Sequence, residues 1–329
     1  MPEIRVDPLS GLKAIIADAR SGRPGSGIAQ AEPHPPIDPE HDAFAAGHEA
    51  QTPPEVDAVR PDGSAPDTPG WRVRVVPNLY PALTPQAPAP PREARVDLFA
   101  VSGARGTHEV IVNSPEPVPS LGDLSAEQLT LAMEMWRTRA AHHAAHGAAC
   151  VHLFVNEGRS AGASQPHTHA QLVALDFVPA LIARERERFG AYATTTMGGN
   201  LLQDLVQAEV KLDQRVVAID DEAVVLAPYA SACAYQLLLA PRTPRMRFED
   251  GGPLLAGALH DALARLRRRF VTVPPLNLWV RTAPRGAEHF CWRIDLLPRF
   301  AQPAGLELGT GLDLNPVAPE TAARELRDA

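Results

Sequence analysis

Two histidines and a glutamine alternate in segment 164–171, which reads Ser-Gln-Pro-His-Thr-His-Ala-Gln. If this segment is a strand, its period of two places His167, His169 and Gln171 on one face. The preceding residues, 156–163, are mostly small and include two glycines, so their backbone N–H groups could approach an anion. A neutral imidazole can attack phosphorus while a carboxamide and a hydroxyl hold the phosphoryl oxygens. The pattern therefore indicates nucleophilic phosphoryl chemistry.

The same residues leave two other interpretations open. A His-x-His pair on a strand is most often a pair of metal ligands or a chance polar face. A cupin-like metal site would need a carboxylate soon after the pair, and residues 170–173 supply none. A zinc deaminase would need a glutamate beside its histidine and a later Cys-x-x-Cys, which the sequence lacks.

Length, charge and cysteine content limit the class of protein. The chain has 329 residues, three cysteines and a net charge of −8, a length that suits one large domain or two modest ones. The negative charge argues against general nucleic-acid binding, so an anionic substrate must meet local arginines. No apolar run approaches the length that spans a bilayer, and the N-terminus lacks the pattern of a signal peptide. A few cysteines, odd in number, suit reduced thiols, so we expect a cytoplasmic protein that does not bind membranes.

Hydrophobic periodicity predicts a mixture of helices and strands, with many prolines in the loops between them. Ser125 begins a capping-box pattern ahead of a helix, and His142, His143 and His146 near the end of that helix are predicted to be solvated. Residues 151–155 alternate as a strand that leads to Asn156. Further helices are predicted at 178–189, 201–212, 254–270 and 319–327, and further strands at 215–219, 223–227, 234–239, 277–281 and 290–297.

Segment 164–171 resembles the Ser-x-Pro-His-x-His-x-Gln signature of the galactose-1-phosphate uridylyltransferase family, within the histidine-triad superfamily. The resemblance runs nearly end to end. It implies an α+β fold of two histidine-triad-like halves, each a mainly antiparallel sheet packed with helices, which we assign to residues 1–185 and 186–329. The other matching segments follow the order of the family: 7–11 and 19–24 (opening strand and Arg-x-x-Arg-Pro), 47–56 (after the first zinc ligands), 74–83 (nucleotide-contacting Asn-x-Tyr-Pro), 108–112 and 282–286.

The resemblance also implies a reaction, in which a UMP group passes from UDP-glucose to a hexose 1-phosphate, most simply galactose 1-phosphate. His169 would attack the α-phosphorus and carry the uridylyl group as a covalent intermediate. Gln171 would hold the oxygens of that intermediate, and His167 would orient His169. The substrate-binding residues would be Arg20 and Arg23 (sugar phosphate), Asn78 (nucleotide), Asn156 and Ser164 (phosphates) and Gly162 (close backbone approach). In relatives the segment matching 307–311 reaches a neighbouring subunit, so we expect a homodimer.

The metal sites of the family are altered in this chain. Where the family has Cys-x-x-Cys, residues 42–45 read Asp-Ala-Phe-Ala, and the third zinc ligand falls on Pro117, so only His167 keeps a ligand. Alanine and proline cannot donate to zinc. The His-x-His of a second metal site, which holds iron, reads Cys-Trp-Arg at 291–293. We therefore expect neither a zinc nor an iron cofactor, although a rearranged metal site stays open through two nearby histidines, His41 and His48.

Two other functions remain compatible with the sequence. A nucleoside diphosphate sugar phosphorylase or a dinucleoside polyphosphate phosphorylase would use the same histidine with inorganic phosphate as the acceptor. A catalytically degenerate nucleotide-binding protein would keep the binding residues without turnover. An assay that compares inorganic phosphate with hexose 1-phosphate as the acceptor distinguishes a phosphorylase from a uridylyltransferase. Tight nucleotide binding with no exchange of labelled sugar phosphate would identify the degenerate binding protein.

Overall fold

The structure, a computed structural model, describes residues 1–20, 22, 28, 31, 33–88 and 98–329. Strands and helices are mixed along the chain, and the large sheet is antiparallel, so the predicted α+β fold class is confirmed. A small sheet pairs β2 (Lys13–Ile16) with β1 (Glu3–Val6) on one side and β13 (Asp313–Asn315) on the other.

A second sheet contains ten strands: β3 (Asp57–Val59), β4 (Val73–Pro77), β5 (Gly106–Val112), β6 (Cys150–Glu157), β7 (His169–Leu175), β8 (Val216–Ile219), β9 (Ala223–Leu226), β10 (Leu237–Pro241), β11 (Leu276–Arg281) and β12 (Arg293–Pro298). Their order in the sheet is β3-β4-β5-β7-β6-β11-β12-β10-β9-β8, and all neighbours in it are antiparallel. The first five strands follow the order β3-β4-β5-β7-β6 and the second five follow β8-β9-β10-β12-β11. The two halves therefore share one topology and meet where β6 pairs with β11.

Helices occupy matching places in the two halves. The first half has α1 (Ala126–Ala145) between β5 and β6, and the second has α4 (Ala256–Phe270) between β10 and β11. The halves are connected by α2 (Ala180–Thr195) and α3 (Leu201–Leu212), and the chain continues through α5 (Gly305–Thr310) and α6 (Pro319–Asp328). The division predicted at residue 185 falls inside α2, and it remains a prediction.

Alternation along most of β6 places buried apolar side chains on one face of the large sheet and partly buried ones on the other. Leu153 and Val155 of β6 belong to the main apolar core, together with residues of α1, α4 and α6. Asn156 lies between Val155 and Glu157 with its side chain only partly buried, on the opposite face. Ser125 caps α1 as predicted, accepting a hydrogen bond from the Gln128 backbone N–H at 3.1 Å. Within the described part of the chain, no helix is both long and apolar enough to cross a membrane.

Candidate active site

His169 is the first residue of β7 and lies between two strands. It pairs with Val112 of β5, and Asn156 of β6 lies across from it, one residue beyond the Val155–Ala170 pair. The Nδ1 atom of His169 is 2.8 Å from the backbone oxygen of His167. Because a carbonyl oxygen only accepts, Nδ1 carries the proton, and the Nε2 atom of the neutral ring keeps its lone pair. His169 is only 5% exposed, and burial lowers its pKa.

The strand predicted across segment 164–171 is wrong in its first part, because β7 begins only at His169. The backbone N–H of Thr168 donates to the oxygen of Val118 at 2.8 Å, and its hydroxyl donates to Glu157 at 3.0 Å. These bonds hold the chain in a bend before the strand begins. His169 and Gln171 share a strand face as predicted, whereas His167 lies outside the strand in the bend.

His167 lies against a short turn that contains Asp42 and Phe44. Its Nδ1 atom is 2.7 Å from Oδ2 of Asp42, and its Nε2 atom is 2.9 Å from the backbone oxygen of Ser114. Burial by itself would raise the pKa of Asp42, but the hydrogen bond and the charge of His167 bring it below its usual range. The ring centroid of Phe44 is 5.1 Å from that of His169. The sequence shows Asp42 only as a residue that stands where the family has a zinc-binding cysteine, and it indicates no role for Phe44.

The residues at the zinc position of the family do not fit a zinc ion. Both ring nitrogens of His167 are already hydrogen-bonded to protein oxygens, and Pro117 offers no donor side chain. His48 donates from Nδ1 to the backbone oxygen of Asp42, while His41 pairs with Asp38 at the surface. Over the described ranges, no three His, Cys, Asp or Glu residues are grouped as metal ligands would be.

The position of the second metal site contains a buried ion-pair network instead. Arg293 donates to both carboxylate oxygens of Glu185, at 3.1 and 3.2 Å, and to Asp295 at 3.0 Å. Cys291 is buried, and burial raises its pKa to about 11, so its thiol stays protonated near neutral pH. A guanidinium cation cannot hold iron, and the carboxylates already bind Arg293.

Gln171 and Asn78 are brought together by His108, a residue of β5. The backbone N–H of Ala82 donates to Nδ1 of His108, so Nε2 carries the proton and donates to Oε1 of Gln171 at 3.0 Å. The side-chain nitrogen of Asn78 is 3.2 Å from the same Nε2 atom. With its oxygen engaged, the carboxamide of Gln171 has its NH₂ group available to donate to a phosphoryl oxygen. His108 occurred in a family-like segment of the sequence, but nothing there indicated this bridging position.

The glycine-containing loop lies next to Asn156. Gly162 ends a 3-10 helix (Arg159–Ala161) at a φ of 85°, a conformation in which other residues are strained. Asn277 of β11 donates to Oδ1 of Asn156 at 2.7 Å and to the backbone oxygen of Ala161 at 2.8 Å, which ties the loop to the sheet. Ser164 is exposed and lines a small cavity of about 130 Å³ next to the loop.

The predicted arginines are not placed alike. Arg20 ends a 3-10 helix (Asp18–Arg20) directly after the small sheet and is exposed. No contact between it and the residues around His169 is seen in the described part of the chain. Arg23 lies outside the described residues.

A buried carboxylic acid supports the bend from behind. Glu157, 2% exposed, accepts hydrogen bonds from the Leu121 backbone N–H at 2.6 Å, the Ser120 hydroxyl at 2.7 Å and the Thr168 hydroxyl at 3.0 Å. Burial raises its pKa to about 7 despite these hydrogen bonds. A pKa in this range means that Glu157 gains or loses its proton near neutral pH.

The two-half antiparallel sheet has His169 at the start of β7, and the relatives of this chain place it in the class of nucleotidyl and phosphorylase-type transferases. A family model described as galactose-1-phosphate uridyl transferase, N-terminal domain, matches residues 1–179, which is more than half of the chain. The chain therefore belongs to the galactose-1-phosphate uridyl transferase family, as the sequence resemblance predicted.

Individual relatives bear more than one enzyme name. An ADP-glucose phosphorylase from Arabidopsis thaliana is 27% identical over 336 aligned residues, covering 99% of this chain and 93% of the relative. A galactose-1-phosphate uridylyltransferase from Cryptococcus neoformans is 28% identical over 298 residues, covering 85% of this chain and 74% of the relative. The crystal structure of an A. thaliana ADP-glucose phosphorylase with bound ADP-glucose matches with a TM-score of 0.81 and 26% identity, over 100% of this chain and 99% of that one.

Proposed function

We propose that this protein transfers a nucleoside monophosphate from a nucleoside diphosphate hexose to a phosphate-bearing acceptor through His169. The observation that carries the proposal is the 2.8 Å bond from Nδ1 of His169 to the His167 carbonyl, which leaves Nε2 as the nucleophile. Nε2 would form a bond to the α-phosphorus, and the bond from that phosphorus to the sugar-phosphate oxygen would break. The sugar 1-phosphate would leave with the electron pair. An acceptor phosphate oxygen would then attack the same phosphorus and release His169.

The neighbouring residues would hold the transferred group. The Gln171 NH₂ would donate to its oxygens without supplying a proton to the histidine nitrogen, which would otherwise make the intermediate more labile. Asn156, Ser164 and the backbone at Gly162 would bind the phosphates of donor and acceptor. Asn78 would contact the nucleotide, and its position next to His108, which donates to Gln171, supports a single continuous site.

Two donor and acceptor pairs are supported by different observations. Family membership and relatives named galactose-1-phosphate uridylyltransferase favour UDP-glucose with galactose 1-phosphate. The end-to-end similarity to ADP-glucose phosphorylase, in sequence and in structure, favours ADP-glucose with inorganic phosphate. Both reactions begin with the same attack by His169 on the α-phosphorus. The base of the donor and the identity of the acceptor therefore decide between them.

Intact-mass measurement after incubation with each nucleotide sugar tests the first half-reaction. We expect the wild-type protein to gain the mass of one nucleoside monophosphate, stable in base and lost in acid. His169→Asn should not form this adduct, whereas His289→Asn, at an exposed histidine, should behave as wild type. A retained adduct in His169→Asn would identify another nucleophile. No adduct with any nucleotide sugar, despite tight binding, would favour the degenerate binding protein.

The second half-reaction is tested by chasing the adduct with inorganic phosphate or with galactose 1-phosphate. Release of a nucleoside diphosphate by phosphate indicates a phosphorylase. Release of a nucleotide sugar by galactose 1-phosphate indicates the uridylyltransferase reaction. Comparing adduct formation from UDP-glucose and ADP-glucose in one competition experiment identifies the preferred base.

A further inference from the structure

We infer that Asp42 and His167 form a metal-free clamp that positions His169, in the place where the family resemblance puts a zinc site. The inference rests on the proposed function, because His169 is the group that the clamp positions. The Asp42–His167 clamp consists of these two side chains and the Ser114 carbonyl that His167 also contacts. It differs from a degraded metal site because each polar atom of the His167 ring has a partner.

The two partners of His167 determine where its protons are. The carboxylate of Asp42 and the carbonyl of Ser114 are both acceptors, so the ring must donate from Nδ1 and from Nε2. A ring that donates twice is an imidazolium, and its charge is balanced by Asp42. The side chains of His167 and Asp42 are 0% and 2% exposed, so the pair is shielded from water and its geometry is well defined.

The two clamp residues reach His169 by different routes: His167 through its own backbone carbonyl, and Asp42 through Phe44 of the same turn. The backbone carbonyl of His167 accepts the Nδ1 proton of His169 and so sets its tautomer. The bonds of the His167 ring to Asp42 and Ser114 anchor this residue, and a shift of its backbone would move that carbonyl. Phe44, two residues after Asp42, packs its ring against His169 at a tilt of 59°. His167 therefore holds the nucleophile by a hydrogen bond at Nδ1, and the turn that contains Asp42 holds it by packing Phe44 on its ring.

The turn itself is held in place independently of any metal. Oδ1 of Asp42 accepts the backbone N–H of Phe44 at 3.0 Å, and the Asp42 backbone oxygen accepts from Nδ1 of His48 at 2.7 Å. The backbone N–H of Ala45 donates to the same oxygen at 3.1 Å. The carboxylate is thus preorganised before it meets His167, the condition for a positioning residue to act.

Two substitutions at Asp42 separate positioning from general stability. The carboxamide introduced by Asp42→Asn would keep each hydrogen bond. Its oxygen can accept from the Phe44 backbone N–H, and its NH₂ can donate to Nδ1 of a neutral His167. The Nε2 atom of His167 would still donate to the Ser114 carbonyl. We expect Asp42→Asn to form the nucleotidyl adduct within about threefold of the wild-type rate. Asp42→Ala leaves Nδ1 of His167 without a partner, so we expect adduct formation to slow by about 10²-fold with little change in KM for the nucleotide sugar.

A second Asp–His pair in the same chain provides the control. Asp38 and His41 are also 2.7 Å apart, but their side chains are 63% and 81% exposed. Asp38→Ala should leave the adduct rate unchanged. Adduct formation at the wild-type rate in Asp42→Ala would overturn the clamp alone, whereas the absence of any adduct in the wild-type protein would count against the proposed function.

Spectroscopy of the wild-type protein tests the clamp even if Asp42→Ala fails to fold. With ¹⁵N-labelled histidine, His167 should show a proton on both ring nitrogens, with the Nδ1 proton far downfield. Asp42→Asn should lose the Nδ1 proton and keep the one on Nε2. The inference is overturned if Nδ1 of wild-type His167 carries no proton. It is also overturned if elemental analysis finds stoichiometric zinc whose removal by a chelator stops adduct formation.

Discussion

Replacing Glu157 by glutamine should make the stability of the protein less dependent on pH. The folded state raises the pKa of this carboxyl from an ordinary 4.5 to about 7, chiefly through burial. Between these values the folded protein keeps a proton that the unfolded chain has released. The unfolded state binds fewer protons there, so the free energy of unfolding falls as pH rises from about 4.5 to about 7. Below and above this window Glu157 contributes no slope.

The size of the effect follows from the two pKa values. A pKa that moves from 4.5 to about 7 on folding corresponds to about 3 kcal/mol of stability lost between acid and neutral pH. Glutamine has the same shape and cannot ionise. Its oxygen can accept from Leu121 and Thr168, and its nitrogen can donate to the Ser120 hydroxyl, so the hydrogen bonds are kept. We expect Glu157→Gln to match the wild type near pH 4.5 and to exceed it by about 3 kcal/mol at pH 8.

Urea unfolding at a series of pH values measures this difference. Trp136 is a suitable fluorescent reporter, because its indole N–H donates to Asn113, which in turn contacts Thr168. At pH 8 the midpoint should lie about 1 M urea higher in the variant, for a slope of about 3 kcal/mol per M. Glu187→Gln, at an exposed position, should follow the wild-type profile. Parallel profiles for the wild type and Glu157→Gln between pH 5 and 8 would refute the reasoning.

Four further outcomes are expected. Gln171→Ala should slow adduct formation and adduct release by about 10²-fold in single-turnover assays, which is the usual effect of losing one hydrogen-bond donor to charge that develops in the transition state. Unchanged rates would show that Gln171 does not bind the transferred group. Because burial lowers the pKa of His169, the rate of adduct formation should stay constant as the pH falls past 6.5. An inflection of the rate above pH 6.5 would contradict a neutral His169. Elemental analysis should find less than stoichiometric zinc or iron. Light scattering should give a dimer, and deleting residues 307–311 should then lower activity; a fully active monomer would exclude a shared site.

The fold could be predicted because its signals are local. The apolar alternation in β6, the N-cap at Ser125 and the helix at 201–212 all follow from residues close in sequence, and the structure contains each of them. The start of β7 could not be predicted in this way. It depends on Thr168 bonding to Val118 and Glu157, which lie 50 and 11 residues away, and residue types alone do not indicate such partners.

Buried charges are the other feature that local patterns misjudge. His143, near the end of α1, was predicted to be solvated, but it is buried with Nε2 2.9 Å from Glu109 of β5. Burial would raise the pKa of Glu109, yet His143 and Arg139 together lower it to about 2. The sequence correctly predicts that His143 lies near the end of a helix, where side chains are usually exposed to solvent. The packing of α1 on β5 instead places the carboxylate of Glu109 next to His143.

The Asp42–His167 clamp is a further example, because the sequence has Asp, Ala and Pro where the family has zinc ligands but does not indicate that Asp42 pairs with His167. The clamp adds no net charge beside the nucleophile, because the charges of the imidazolium and the carboxylate are opposite. Burial lowers the pKa of His169 most, and the hydrogen bond to the His167 carbonyl raises it; the charges of His167 and Asp42 then act on that pKa in opposite directions. The clamp can therefore orient the nucleophile while leaving its basicity to be set mainly by burial. Asp42→Ala leaves Nδ1 of the buried His167 without a partner, so the ring that anchors the His167 carbonyl loses one of its two supports. Asp42→Asn keeps a partner at Nδ1, and for this reason we expect it to preserve the adduct rate and Asp42→Ala to lower it.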